Sequence, residues 1–171
     1  PFLYTKYDLK NLAITGARLM FAGRSQTDFR HINLFPYAPH LAFWQTHHAG
    51  LGFGTFVLSS GGGKTMGTEG NINLIDKIQP DILIGMPTFI YHVMLEAQSL
   101  GKHWPNLKRL VLGGEKVAEG LRARLRDLAA SLGSPGVHVM ATYGFTEAKM
   151  AFPECVGDDP LANASGYPLS P

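Results

Sequence analysis

Short apolar runs alternate with longer amphipathic runs along most of the chain. Short apolar runs are typical of buried strands, and apolar residues repeated every three or four positions are typical of helices. The pattern predicts strands at residues 31–35, 55–59, 81–85, 107–112, 137–142 and 150–152. It predicts helices at residues 9–22, 41–50, 68–77, 88–100 and 117–132, the last with the most regular spacing. We therefore expect an α/β fold in which a mostly parallel sheet carries helices on both faces.

Polar residues mark several helix ends. Asp8 is a candidate N-cap for the first helix, and Thr88 is one for the fourth. Thr68 with Glu69 is expected to open the third helix. Gly133 follows the fifth helix, where a residue in the left-handed conformation commonly ends a helix.

Length and composition are those of one globular domain. The chain has 171 residues, of which 45% are hydrophobic and 16% are charged, and its net charge is +2. No apolar run has the about 18 residues of a membrane helix, and the scattered basic residues give no reason to expect nucleic acid as a partner. The only cysteine, Cys155, excludes an internal disulfide and fits a cytoplasmic location.

Both ends of the sequence suggest a longer protein. The chain begins with Pro1 instead of Met, and residues 156–171 are rich in Gly, Pro, Asp and Asn. We expect residues 1–171 to form one α/β subdomain that is truncated at both ends. Residues 156–171 are then a loop that leads to a further C-terminal part.

Two apparent motifs are poor candidates for the chemistry. The segment Ser60-Gly61-Gly62-Gly63-Lys64-Thr65 ends like a phosphate-binding loop, but Leu58 stands where that motif requires a glycine, so a glycine turn is favoured. His40, His47 and His48 suggest a zinc site, but no carboxylate or cysteine lies nearby in the sequence. Aromatic packing or pocket lining is the favoured role for these histidines.

Two consecutive predicted strands end in polar loops that contain glycine. The first is followed by Gly113-Gly114-Glu115, and the second enters Ala141-Thr142-Tyr143-Gly144-Phe145-Thr146-Glu147. Neighbouring parallel strands end at the same edge, where open α/β sheets bind ligands, so we expect one crevice.

The residue types of the second loop suit a nucleotide triphosphate. Tyr143 can stack on adenine, Gly144 permits close backbone approach, Thr146 can donate a hydrogen bond to a phosphate, and Glu147 can bind Mg²⁺. A helix that starts at Thr146 would also direct its amides toward the phosphates. From the residues alone, an ordinary turn with a threonine cap and a first-turn glutamate is an equal alternative.

These two loops resemble signature loops of the adenylate-forming (AMP-binding) enzymes, which include acyl-CoA synthetases, peptide-synthetase adenylation domains and luciferases. From Tyr4 to the end, the sequence is most similar to the phenylacetate-CoA ligase branch. Met86-Pro87-Thr88 resembles the segment that starts a helix beside the acyl pocket of that family. Residues 33–37 resemble its aromatic loop on the acid-binding side.

The resemblance implies an acid–thiol ligase that uses ATP, Mg²⁺ and coenzyme A to form an acyl adenylate, expected to be aryl, and then a thioester. It implies three groups of site residues: the nucleotide contacts Gly113, Gly114, Glu115, Thr142, Tyr143 and Gly144; the catalytic residues Thr146 and Glu147, with Glu147 as the magnesium ligand; and the acyl-pocket residues Tyr37, Met86 and Pro87. Phe35 and Trp44 are further candidates for the pocket, although core packing is favoured for both.

One position departs from the family pattern. Ala141 stands where the family usually has Asp or Asn to accept a hydrogen bond from the adenine amino group. The family's triphosphate loop, ribose-binding Asp and catalytic Lys have no counterpart in this sequence, so the fragment alone is expected to be inactive.

Two other functions remain open from the sequence. One is a non-catalytic nucleotide-binding or interaction module derived from the same fold, and the other is an unrelated doubly wound protein such as a sugar-nucleotide binder. The expected partners are a small carboxylate, ATP and CoA, with no nucleic acid or membrane. The sequence leaves open whether the chain forms a homodimer.

Overall fold

The computed structural model describes residues 3–21, 30–37, 40–145, 147 and 149–154. The helices are α1 (Lys6–Phe21), α2 (Leu41–Phe53), α3 (Gly63–Ile78), α4 (Pro87–Ser99) and α5 (Glu119–Ser131). The strands are β1 (Arg30–Asn33), β2 (Phe56–Ser59), β3 (Ile82–Gly85), β4 (Arg109–Leu112), β5 (His138–Phe145) and β6 (Met150–Pro153). Each predicted strand and helix overlaps one of these elements, so the α/β fold class is confirmed.

One sheet contains the six strands in the order β2-β1-β3-β4-β5-β6. Strands β1 to β5 pair in parallel, and β6 pairs antiparallel with β5. Because strands β3, β4 and β5 are consecutive neighbours, their carboxyl ends lie side by side at one edge of the sheet. That edge holds the loops that the sequence selected.

Successive residues of the central strands contribute to two separate cores, because side chains alternate between the faces of a sheet. Leu83, Leu110 and Val139 belong to the larger core, which also contains residues of α3, α4 and α5. Ile82, Ile84, Val111 and Met140 belong to the smaller core, where residues of α2 pack. Helix α1 packs on α2. Helices therefore cover both faces, as the continuous apolar strands predicted.

Two predicted helix starts are wrong. Helix α1 begins at Lys6, and Asp8 lies in its first turn, where its carboxylate accepts hydrogen bonds from the backbone N–H and the hydroxyl of Thr5 (both 2.8 Å). Asp8 N–H donates to Thr5 Oγ1 in return (3.2 Å), which is the reciprocal arrangement of a capping box. Helix α4 begins at Pro87, one residue before Thr88, because proline is suited to the first helical position.

The third helix is interrupted at Gly67, whose φ of 65° and ψ of −178° are not helical. The regular part of α3 therefore starts next to Thr68 and Glu69, as predicted. Before it, Gly61 and Gly62 have φ values of 74° and 70°. A β-carbon at Gly62 would lie 2.6 Å from the Leu34 carbonyl oxygen. This segment is thus a glycine turn packed against the end of β1.

The helix start considered at Thr146 lies outside the described residues. Strand β5 continues through Tyr143, Gly144 and Phe145, Glu147 has a 3₁₀ conformation, and β6 begins at Met150. Tyr143 pairs with Phe152 and Phe145 pairs with Met150 in an antiparallel hairpin. The hydrogen bonds that β6 provides to β5 therefore extend this strand beyond its predicted end.

Among the described residues, no helix has the length and hydrophobicity to cross a membrane.

Candidate active site

The loops after β4 and β5 meet at the carboxyl edge of the sheet. Leu112 pairs with Ala141, which places Gly113 beside Thr142. The Thr142 hydroxyl donates a hydrogen bond to the Leu112 carbonyl (2.9 Å). The two loops that were expected to border one crevice therefore lie side by side at this edge of the sheet.

Gly113 and Gly114 are closely surrounded by other residues beside this hydroxyl. A β-carbon at Gly113 would lie 2.6 Å from Thr142 Oγ1 and 3.4 Å from Phe35 Cζ. Gly114 has a φ of 86°, and a β-carbon there would lie 3.8 Å from Met86 Cγ. Glycine is thus required at Gly113 for space and at Gly114 for backbone conformation.

The side chain of Glu115 turns toward helix α4. Its carboxylate accepts hydrogen bonds from the Thr88 backbone N–H (3.0 Å) and the Thr88 hydroxyl (2.8 Å). A carboxylate at a helix N-terminus satisfies a free N–H and interacts favourably with the helix dipole. Glu115 therefore ties the Gly113–Gly114 loop to the segment Met86-Pro87-Thr88.

The end of the β5–β6 hairpin presents an aromatic surface. Tyr143 is 68% exposed, and its ring centroid lies 5.8 Å from that of Phe145. Phe145 in turn stacks on Phe152 with centroids 6.4 Å apart. Gly144 is also exposed. This surface offers flat faces on which a planar ring can stack.

Glu147 lies in the turn of this hairpin, and its carboxylate is exposed. Thr146 is outside the described residues. Within those residues, no three His, Cys, Asp or Glu side chains group together as metal ligands. Mg²⁺ is typically bound by one or two carboxylates together with substrate phosphates and water, so a single exposed carboxylate fits this ion.

Lys149, two residues after Glu147, pairs with Asp8. Lys149 Nζ lies 3.0 Å from Asp8 Oδ2 and 5.4 Å from the ring centroid of Tyr4. Hydrogen bonds from Thr5 and Lys149 lower the pKa of Asp8 to about 2. Burial is the main cause of the raised pKa of Tyr4, to which the charge of Glu147 also contributes. The start of α1 thus lies against the turn that carries Glu147.

Arg122 and Glu154 brace strand β5 close to the site. Arg122 Nη1 lies 2.8 Å from Glu154 Oε2 and donates to the Val139 carbonyl (3.0 Å). Ala141 donates its N–H to the Glu154 carboxylate (3.1 Å), and its carbonyl accepts from the Glu154 N–H (2.9 Å). Sequence reasoning missed this brace, because its members come from α5, β5 and the residue after β6.

The aromatic residues of the expected acyl side divide into core and surface positions. Phe35 is buried, as predicted, and stacks on His40 with centroids 5.2 Å apart. Trp44 is 48% exposed, so core packing is wrong for this residue. Tyr37 is also exposed, and its hydroxyl donates to the Ser59 carbonyl (2.8 Å). Met86 is half-buried and packs against the smaller core.

The three histidines stack on aromatic rings. Besides His40 on Phe35, the His47 ring stacks on Phe43 (5.9 Å) and the His48 ring stacks on Trp44 (5.9 Å). Burial lowers the pKa values of His40 and His48. The favoured aromatic packing role is therefore consistent with these contacts.

The chain is similar to known proteins both in sequence and in fold. The chain is 28% identical over 147 residues to phenylacetate-coenzyme A ligase of Aromatoleum evansii, which covers 84% of the chain. The structure of this chain superposes with a TM-score of 0.71 on a long-chain-fatty-acid-CoA ligase from Archaeoglobus fulgidus. The two sequences are 22% identical, and the superposition covers 94% of this chain. The chain is thus similar in sequence to a phenylacetate-coenzyme A ligase and in fold to a fatty-acid-CoA ligase.

A second solved structure with a similar fold contains bound ligands. It is 2-hydroxyisobutyryl-CoA ligase in complex with 2-HIB-AMP and CoA, which superposes with a TM-score of 0.74 at 18% identity over 86% of the chain. No protein-family profile matches the chain. The chain spans 31% of the length of each of these three relatives.

The structure brings together several of the residues that the resemblance to adenylate-forming enzymes selected. Gly113, Gly114, Thr142 and Met86 meet at one edge of the sheet. Pro87 is buried at the start of α4, and Tyr37 lies over the Gly61 turn. Thr146 and Cys155 are outside the described residues, as is the segment 156–171. The spacing Thr5-x-x-Asp8 is a recognisable cap pattern that could have identified the true start of α1.

Proposed function

We propose that this chain is part of an ATP-dependent carboxylate–CoA ligase that forms an acyl adenylate, expected to be aryl, and then a CoA thioester. The observation that carries the proposal is that Gly113, Gly114 and Thr142 lie together at one edge of the sheet. The side chains of Met86 and Phe35 lie next to these glycines. The similarity to phenylacetate-coenzyme A ligase supports the choice of reaction. The proposed location is the cytoplasm.

The nucleotide is proposed to lie along the ends of β4 and β5. The exposed ring of Tyr143 provides a stacking face for adenine. The backbone of Gly113, Gly114 and Glu115 borders the base, and Thr142 and Gly144 leave room for the phosphates. The side chain of Glu115 stays bound to Thr88, so its contribution is to hold this loop in place.

The phosphates are proposed to face the hairpin turn, where Glu147 would hold Mg²⁺ and Thr146 would donate a hydrogen bond. When bound there, Mg²⁺ would stabilise the negative charge that develops on pyrophosphate. A carboxylate oxygen of the acid attacks the α-phosphate of ATP, and the bond between the α- and β-phosphates breaks. The thiol of coenzyme A then displaces AMP from the acyl adenylate.

The acid is proposed to bind between Met86, Pro87 and Tyr37. Phe35 is buried beside Met86 and the glycine loop, so it forms an apolar wall behind them. Aromatic and thioether side chains pack well against a planar apolar substrate. This lining supports an aryl acid as the substrate class.

The test is carboxylate-dependent exchange of pyrophosphate into ATP, measured on the protein at its full natural length across aryl and alkyl acids. We expect exchange with an aryl acid, and we expect Glu147→Gln to reduce it by about tenfold or more. Glu96→Gln is the matched control, since Glu96 is an exposed carboxylate near the other end of α4. Unchanged exchange in Glu147→Gln would contradict the role of Glu147.

A non-catalytic nucleotide-binding module is the second candidate, and Ala141 favours it. Ala141 has no side-chain acceptor for adenine, and its own N–H and carbonyl are both engaged with Glu154. If a folded protein binds ATP but exchanges no pyrophosphate with any acid, this second function replaces the first.

A further inference from the structure

The ion pair between Asp8 and Lys149 joins the first helix to the turn that carries Glu147. The two charged atoms lie 3.0 Å apart, and the pair is partly shielded from solvent, with side-chain exposures of 21% for Asp8 and 35% for Lys149. The Tyr4 ring covers the ammonium at 5.4 Å from its centroid. A cation between a carboxylate and an aromatic face is held by both.

Asp8 is fixed independently of Lys149. Its carboxylate accepts two hydrogen bonds from Thr5, and the backbone N–H of Asp8 donates to the Thr5 hydroxyl. The first turn of α1 therefore presents a rigid carboxylate to the hairpin. Lys149 lies in the turn before β6 with a φ of 53°, a conformation that costs a residue with a β-carbon about 1 kcal/mol.

The alternative partner for Lys149 is the carboxylate of Glu147. The two residues are separated by one position in the same short turn, and a lysine side chain is long and flexible. An ammonium that paired with Glu147 would compete directly with a divalent cation for the same oxygens. The ion pair with Asp8 keeps the Lys149 ammonium from binding the Glu147 carboxylate.

We propose that Asp8 is a positioning residue that binds Lys149 and thereby keeps the Glu147 carboxylate available for Mg²⁺. This inference rests on the proposed function, because it assigns Glu147 to the metal of the nucleotide complex. Removing Asp8 releases the cation next to Glu147. Removing both charges leaves Glu147 without a competing cation.

The experiment measures ATP binding by calorimetry, with and without Mg²⁺, on the protein at its full natural length. We expect Asp8→Asn to reduce the Mg²⁺-dependent gain in ATP affinity by about tenfold, the effect of about 1.4 kcal/mol. In the double variant Asp8→Asn with Lys149→Met, we expect Mg²⁺ to raise the ATP affinity nearly as much as in the unmodified protein. A merely structural contact would give no such recovery, because the double variant also lacks the ion pair.

Two controls separate this effect from loss of stability. Asp76→Asn breaks a comparable ion pair, in which Lys102 Nζ lies 3.0 Å from Asp76 Oδ2, near the opposite edge of the sheet. It is expected to leave the Mg²⁺ effect unchanged. Thr5→Val removes the threonine hydroxyl of the capping box but keeps the hydrogen bond from the residue 5 backbone N–H to the Asp8 carboxylate and the ion pair with Lys149, so it is expected to lower stability and to keep most of the Mg²⁺ effect.

The outcomes distinguish the inference from the proposed function. If Glu147→Gln abolishes the Mg²⁺ effect and Asp8→Asn does not change it, the inference is overturned and the proposed function stands. An equal loss in Asp8→Asn and in the double variant also overturns the inference, because the released cation is then not the cause. If the unmodified protein shows no Mg²⁺-dependent binding of ATP, both are overturned.

Discussion

Glu115 caps the N-terminus of α4 from the following βα unit, with its carboxylate 3.0 Å from the Thr88 backbone N–H. The bond connects the proposed nucleotide loop to the start of the helix beside the proposed acyl pocket. The Glu115 carboxylate thus links two segments that are far apart in sequence. A change in the position of one segment is therefore expected to shift the other.

The first prediction concerns the stability of this cap. Glu115→Ala should lower the free energy of unfolding by about 1–2 kcal/mol, because the Thr88 N–H loses its acceptor. Unfolding in urea measures the change. Glu96→Ala, on the exposed surface of the same helix, is the control and should change stability by less than about 0.5 kcal/mol. Equal effects of the two variants would contradict the capping role.

The second prediction concerns the space at Gly113. In Gly113→Ala, the new methyl group would lie 2.6 Å from Thr142 Oγ1, so the hydroxyl should rotate away from the Leu112 carbonyl. We expect a loss of about 1–2 kcal/mol in stability from strain and the broken bond. Gly120→Ala is the matched control, because nothing lies within 4 Å of a β-carbon there and alanine favours the helix by up to about 1 kcal/mol. Denaturant unfolding should therefore show a lower free energy of unfolding for Gly113→Ala and a higher one for Gly120→Ala.

The third prediction concerns the brace between α5 and the end of β5. The Arg122 side chain is only 12% exposed, and its loss in Arg122→Ala leaves the Glu154 carboxylate and the Val139 carbonyl without this donor. We expect a destabilisation of about 1–3 kcal/mol in denaturant unfolding. Arg124→Ala, at an exposed position of the same helix, should have little effect. A double-mutant cycle with Glu154→Gln should show coupling, and strictly additive effects would contradict the brace.

The fourth prediction concerns acid sensitivity through His31. Burial, with a smaller contribution from His47, lowers the pKa of His31 from 6.5 to about 4. The unfolded chain therefore binds a proton between these values while the folded protein does not, so stability should fall as pH decreases from 6.5 to 4 and His31 should contribute no further loss below 4. The share of His31 is at most about 3 kcal/mol.

Denaturant midpoints measured across this pH range test the fourth prediction. His31→Gln should have a flatter pH profile, although His40 and His48 contribute in the same direction because burial lowers their pKa values too. His92→Gln is the control at an exposed position and should keep the steep profile. Asp8 acts in a separate window, since its contribution is lost only as pH falls from about 4 toward 2.

Local pattern was sufficient to predict the helices and strands of this chain. The apolar runs that became β3 and β4 are buried on both faces, and their composition alone required helices on both sides. The glycines after β4 indicated a tight loop at the carboxyl edge, and the structure places Gly113 against Thr142. Such features depend on neighbours within a few positions, so the sequence displays them directly.

The errors share a different origin. Tyr143, Gly144 and Phe145 were expected in a polar turn after the strand, but β6 pairs with them. Trp44 was expected in the core, but it lies on the exposed face of α2. In both cases the environment of a residue depends on which elements pack beside it, and the local pattern does not specify these neighbours.

The sequence by itself determined the alternation of elements, the two glycine loops and the edge at which they meet, because periodicity and turn chemistry act over short distances along the chain. The tertiary structure alone decided that β6 extends β5 as a hairpin, that Glu115 caps α4 and that Lys149 pairs with Asp8. These last contacts form between groups distant in sequence, whose approach depends on how the whole sheet and its helices pack.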